Sequence, residues 1–227
     1  MLPRLGVRRR VRAAPRVLAD LRYRLGVRRL GAKRPAEYRE YLETQLERSL
    51  SKRENDPGVG ARLLVDHAAA GQPSPEARVL CVGCRNGIEL DEFRARGFSD
   101  VVGIDLFSQR DDILVMDMHG MTFPDDSFDV VYSSHSLEHA YDVETVVREL
   151  ARVGKGGGVV AVEVPVRHRG STADRSEFAG LEELREVFRP YIGDELWAEE
   201  QPPSTPTNEQ GSAVARLVFR LREKADG

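Results

Sequence analysis

The sequence predicts an α/β fold: a mostly parallel sheet with covered faces, preceded by a helical extension. Three observations carry this. From Arg78 onward, short Val- and Ile-rich runs bounded by Gly and Asp alternate with helical stretches. The first run ends in a glycine turn, Val79-Leu80-Cys81-Val82-Gly83-Cys84-Arg85-Asn86-Gly87, which reads as buried strand, tight turn, helix. The chain before it shows helical spacing and no strand period.

Taken in order, residues 1–34 are Arg-rich, with Val17, Leu18, Leu21, Leu25 and Leu30 at roughly helical spacing. Pro35 suits the first turn of a second helix, about 36–54. Asn55-Asp56-Pro57-Gly58 breaks it, Val59–Ala70 reads as a third helix closed by Gly71, and Gln72–Pro75 is a linker. Strands are expected near 78–82, 100–104, 113–116, 127–133 and 157–163, with helices near 87–96 and 142–153. After Pro165 come a helix near 180–188, a strand near 192–198 and a polar loop over 201–212. The last strand, 213–221, is expected to point Arg216, Arg220 and Arg222 outward. The predicted organisation is a helical extension or cap over 1–75 and a ligand-binding domain over 76–227.

Length and composition set limits. The chain has 227 residues, enough for one large domain with an extension. No apolar run approaches the roughly 20 residues that span a bilayer, and arginines interrupt any signal-peptide core. Two cysteines fit a reducing compartment, so a cytoplasmic location is expected. Charge is asymmetric. Residues 1–34 hold twelve Lys/Arg and one acid, +11; the other 22 Lys/Arg and 36 Asp/Glu give −14, summing to the net −3. That basic arm has three readings: a solvated helix closing the site, a contact with a membrane surface or lipid, and, least favoured, phosphate contacts with nucleic acid.

The chemistry begins at the turn. A strand that ends in Gly83 and Gly87, with Asp105 eighteen residues later at the end of the second strand, brings bare backbone and an acid to a nucleotide-like ligand. Asp117 ends the third strand in Val115-Met116-Asp117-Met118. Phe123-Pro124-Asp125-Asp126-Ser127-Phe128-Asp129-Val130-Val131-Tyr132-Ser133-Ser134-His135-Ser136-Leu137-Glu138-His139 follows. Glu149-Leu150-Ala151-Arg152-Val153-Gly154-Lys155-Gly156-Gly157-Gly158 then leads into the fifth strand.

This ordered series, over about residues 76–165, resembles the class I S-adenosylmethionine (SAM) dependent methyltransferases. The nearest match is their small-molecule, type 11-like subset. The resemblance implies a Rossmann-like sheet of seven strands with the last antiparallel, and SAM as cofactor. It implies that Gly83, Cys84, Arg85 and Gly87 lie against the methionine part of SAM, and that Asp105, with Leu106 beside it, holds the ribose. Asp117 with Met118 would read the adenine, and Ser134 and His135 would line the transfer cleft. Two positions depart from the family pattern: Cys81 stands where an acid is usual, and Arg85 where glycine is usual. A dinucleotide would need its pyrophosphate to approach bare backbone, and Arg85 fills that space, so SAM is preferred over NAD.

Other motifs weigh less. Cys81 and Cys84 form a C-x-x-C, but Cys81 lies inside the strand and is expected in the core, against a redox role. His135-Ser136-Leu137-Glu138-His139 spells H-x-x-E-H, yet it follows a strand end with no third ligand in view. It reads better as a turn buttressed by Glu138 and His139, with no metal expected. His135 is the candidate catalytic base, with His168 and Glu163 behind it. The absence of an Asn/Asp-Pro-Pro-Tyr/Phe series after the fourth strand disfavours DNA and protein-amide acceptors. The expected function is methyl transfer to a small-molecule or lipid-like acceptor. A non-catalytic nucleoside- or partner-binding protein and an NAD-dependent oxidoreductase stand as alternatives.

Overall fold

Three helices come first in the computed structural model: α1 (Arg16–Gly31), α2 (Ala36–Ser51) and α3 (Gly58–Gly71). Strands and helices then alternate: β1 (Arg78–Val82), α4 (Ile88–Ala95), β2 (Asp100–Asp105), β3 (Ile113–Val115), β4 (Phe128–Ser134), α5 (Val143–Val153), β5 (Gly154–Val166), α6 (Leu181–Phe188), β6 (Ile192–Gln201) and β7 (Ala213–Leu221). The structure describes residues 16–51, 58–108, 110–166, 174–202 and 213–224. The strands form one sheet in the order β3-β2-β1-β4-β5-β7-β6. β1 to β5 pair in parallel, and β7 runs antiparallel between β5 and β6. The expected seven-stranded sheet with an antiparallel last strand is present.

Strand alternation decides which face each residue serves. Leu80 and Val82 of β1 join Ile104, Val131, Val160, Val162, Leu217 and Phe219 on the face covered by α5 and α6. Val79 and Cys81 join Val101, Val130, Tyr132, Ala161 and Val218 on the opposite face, under Leu64, Val65 and Ala68 of α3 and Leu90 and Phe93 of α4. Both faces are dry, which is why β1, β4 and β5 read as continuous apolar runs. α3, which the sequence groups with the extension, therefore packs in a layer on the sheet.

α1 and α2 form a hairpin with its own small core. Val27, Tyr38, Tyr41, Leu42 and Leu46 close over Phe107, with Tyr23, Leu106 and Tyr141 at the margin. The predicted apolar stripe on α1 is only partly used: Leu25 is 48% exposed, while Val27 is buried. Val17, Leu18 and Leu21 lie outside the residues whose side chains are described, as do 1–15 and the break at 55–57. Asp142 caps α5, its carboxylate accepting from the Thr145 amide at 3.1 Å.

One expectation is overturned. Arg216 does not point outward: it is 1% exposed. β7 sits between two other strands and under helices, so its side chains on both faces are covered. A buried guanidinium must be paired. Arg216 Nε donates to Glu163 on β5, and its Nη1 donates to Gln201 Oε1 at 2.8 Å and Glu199 Oε2 at 3.1 Å on β6. Arg220 is partly exposed and donates to the carbonyls of Gly71 and Gly157.

Candidate functional site

The strand order reverses direction between β1 and β4, and in open α/β sheets ligands bind at the carboxyl ends beside that point. A cleft of about 540 Å³, counted with its open mouth, lies there. Its floor comes from the ends of β1, β2 and β4 and the segment after β3; Tyr41, Gln45, Arg48 and Ser49 of α2 close it from above.

Gly83 leaves β1 with φ 76°, a conformation glycine adopts freely. A Cβ there would fall 2.0 Å from Ser136 Oγ, so the turn and the β4 loop approach at bare backbone. Ser136 Oγ itself donates to the carbonyls of Val82 and Ser134. Arg85 also has positive φ, 33°. Its N–H donates to Asp105 Oδ2 at 2.9 Å, and the Phe107 N–H donates to Asp105 Oδ1 at 3.0 Å. Asp105 thus ties the glycine turn to the end of β2 while lining the cleft. Burial pushes its carboxyl up, and these amide donors hold it back.

Asp117 sits deeper. It accepts from Tyr38 Oη of α2 at 2.7 Å and from the His119 N–H at 3.0 Å, and His119 Nδ1 lies 2.8 Å away. His119 Nε2 accepts from the Tyr141 amide at 3.0 Å, so Nδ1 carries the proton and donates to Asp117. Burial opposes the Asp117 charge, but the His119 and Tyr38 donors hold its carboxyl below the usual range.

His135 follows β4 with φ 50°. Its Nε2 is 3.2 Å from Glu163 Oε1 and its Nδ1 3.6 Å from Glu138 Oε1. Burial opposes its charge, yet the two carboxylates raise its pKa to about 10. His135 is therefore a cation at neutral pH. Glu163 also accepts from Ser134 Oγ at 2.8 Å, and burial is again outweighed, here by His135 and Arg216, which pull its pKa to about 2. His139 differs. Its Nδ1 is 2.7 Å from Asp174 Oδ1, but burial, with the charges of Arg48 and His135, pulls its pKa down.

Of the residues singled out in the sequence, Gly83, Arg85, Asp105, Leu106, Asp117, Met118 and His135 line this one cleft. Cys84, Gly87 and Ser134 lie behind the lining. Cys84 Sγ donates to the Ile104 carbonyl, Gly87 starts α4, and Ser134 supports Glu163. Both cysteines are buried free thiols with pKa raised by burial, which removes the redox reading. His168 lies outside the described residues. Tyr41, Gln45 and Arg48 carry no mark of the site in the sequence, although the pattern over 36–54 predicts their helix; nothing in a local pattern says which face of a cap meets a distant cleft. His139 was read only as a buttress.

Residues 80–162 match a family model described as a methyltransferase domain. A ubiquinone biosynthesis O-methyltransferase from Ralstonia nicotianae is 35% identical over 115 residues, 43% of this chain and 47% of that protein. The chain spans between 12% and 47% of the length of the curated relatives considered. Among solved structures, a Burkholderia thailandensis 1,6-didemethyltoxoflavin-N1-methyltransferase, with its substrate and S-adenosylhomocysteine bound, superposes with TM-score 0.68 at 16% identity. It covers 83% of this chain and 91% of that one. The [4+2]-cyclase SpnF superposes with TM-score 0.57 at 20% identity over 72% of this chain and 81% of its own, so this fold also carries other chemistry. The matched segment, the sheet order and the motif acids agree: residues 80–162 belong to the class I SAM-dependent methyltransferases.

Proposed function

We propose that this protein transfers a methyl group from SAM to a small-molecule or lipid-like acceptor. The observation that carries the reading is the convergence of the Gly83 turn, Asp105 and Asp117 on one cleft at the strand-order switch. The residues fit the cofactor. Asp105 would hold the ribose hydroxyls, Asp117 and Met118 would face the adenine, and the bare backbone at Gly83 would lie beside the methionine part.

When bound, SAM supplies an activated sulfonium methyl for in-line displacement. The chain's own residues align the acceptor and exclude water. His135, already protonated, serves as a charged donor in the cleft rather than as a base. His139 reaches the lining with both ring nitrogens buried, Nε2 3.3 Å from Glu138 Oε1 and Nδ1 2.7 Å from Asp174 Oδ1, and supports the turn rather than acting as a base. A lipid-like acceptor draws support from the ubiquinone-pathway relative. The basic arm supports it too: Gly26 of α1 packs near Val115, and Leu25, Leu114 and Val115 are exposed there. No described helix is long and apolar enough to cross a membrane.

Calorimetry with SAM, S-adenosylhomocysteine and NAD tests the reading. Micromolar binding of the first two, undisturbed by NAD, is the expected result. Tight NAD binding without SAM binding would reverse it.

A further inference from the structure

Positive charge is gathered at one end of the chain: residues 1–34 carry +11 against −14 for the rest. The fold gives the described part of that charge a surface. α1 buries Val27 and packs Tyr23 and Leu30 against the same small core. By the helical period, residues 18, 21, 22, 25 and 29 fall on its other side. Leu25 is exposed there, and Arg29 and Lys33 further along are exposed too. Arg24 and Arg28 are held by Glu47 and Glu43 of α2, Arg28 Nε at 3.7 Å. Arg29 and Lys33 have no ion pair among the described residues.

β3 continues this surface. A Cβ on Gly26 of α1 would lie 3.8 Å from Val115 Cγ1. Leu114 and Val115 are the last two residues of this edge strand, and each is 40% exposed. The next three residues, Met116, Asp117 and Met118, line the cleft. A single exposed apolar side chain is ordinary. Here Leu25, Leu114 and Val115 adjoin uncompensated cations at the rim of the cleft. Cations draw such a face to an anionic headgroup layer, and apolar side chains enter its boundary. The acidic remainder of the chain is repelled by the same layer, so the molecule approaches it by this side. A nucleic acid would engage the cations and leave Leu25, Leu114 and Val115 in water.

We propose that the outer face of α1, with the end of β3, docks on a bilayer surface rich in anionic phospholipid. Docking itself needs no cofactor and stands apart from the methyltransferase reading. One consequence rests on that reading: a lipid-like acceptor reaches the cleft across its β3 rim.

Pelleting of the full chain with phosphatidylcholine vesicles, with and without about a quarter of phosphatidylglycerol, tests the proposal. The expected result is binding to the anionic vesicles alone, weakened about tenfold or more when salt rises from about 0.1 M to about 0.5 M. Arg29→Glu combined with Lys33→Glu should weaken it about tenfold or more, and Leu25→Asp by about tenfold. Unchanged thermal unfolding shows that each variant is folded. Absence of pelleting with anionic vesicles overturns the proposal. So does pelleting that Leu25→Asp and the double variant leave intact, and so does tighter binding to duplex DNA of equal phosphate content. Vesicle binding by a chain that binds no S-adenosylhomocysteine leaves the docking face standing and removes the methyltransferase reading.

Discussion

Asp105 does two jobs at once: it anchors the turn through the Arg85 and Phe107 amides and it presents an acid to the cleft. Asp105→Asn should weaken S-adenosylhomocysteine binding by about 10- to 100-fold, the equivalent of a lost charge-assisted hydrogen bond. Calorimetry at constant ionic strength measures this. Tyr38→Phe removes the donor to Asp117 and should cost about 1–2 kcal/mol in chemical denaturation. His135 makes a pH prediction. Its folded pKa near 10 exceeds the ordinary 6.5, so its contribution to stability is complete below about 6.5 and is lost as pH rises towards 10. Glu163 runs the other way: held at about 2 against an ordinary 4.5, it contributes above 4.5 and loses that as pH falls towards 2. His135→Asn should therefore flatten the decline of the unfolding free energy between pH 7 and 10; an unchanged alkaline limb would remove the assigned charge. At this scale the acids were legible because Asp105 ends β2 and Asp117 lies two residues past β3, and strand ends are marked by a change of period. Arg48 and the charge state of His135 were not, since both depend on groups far away in sequence.

The glycine turn is the element on which the cleft depends. Gly83→Ala would place a methyl into Ser136 Oγ at a backbone angle that disfavours L-residues. The expected cost is at least about 2 kcal/mol. Adding Ser136→Gly should restore part of it, because the clash goes while the backbone strain stays. No recovery would mean that the strain alone sets the cost. Most elements were legible: β1, α4, α5, α6 and β7 lie within a residue or two of their expected spans, because apolar period and breakers coincide there. β5 extends from 154 to 166, beyond the expected 157–163. Its extra length is set by pairing. Gly154 meets Phe128, then the register jumps to Val159 opposite Val130, with Lys155 Nζ donating to Asp129 Oδ1 at 2.8 Å. The short helical turn Leu137–His139 carries no period of its own and was missed.

Across the whole molecule, a line of alternating charge runs from the interior of the sheet to the cleft: Arg216 on β7, Glu163 on β5, then His135 and Glu138 after β4. Arg216→Met should destabilise the fold by about 3–5 kcal/mol, because it strands a buried carboxylate. The double variant Glu163→Gln with Arg216→Met should recover much of that in denaturant titrations, and an additive double variant would show the pair is not coupled. This line could not be read from the sequence, where Arg216 alternates with apolar residues like a surface arginine. The strand order gives it a temporal meaning. β7 is last in the chain yet lies between β5 and β6, and β6 pairs with no other strand. A chain emerging from its ribosome can therefore fold β1 to β5 and display the glycine turn, Asp105 and Asp117 while β6 has no partner and Glu163 has His135 but not yet Arg216. The cleft reaches its final charge only when residues 213–221 enter, so maturation of the site coincides with completion of the sheet.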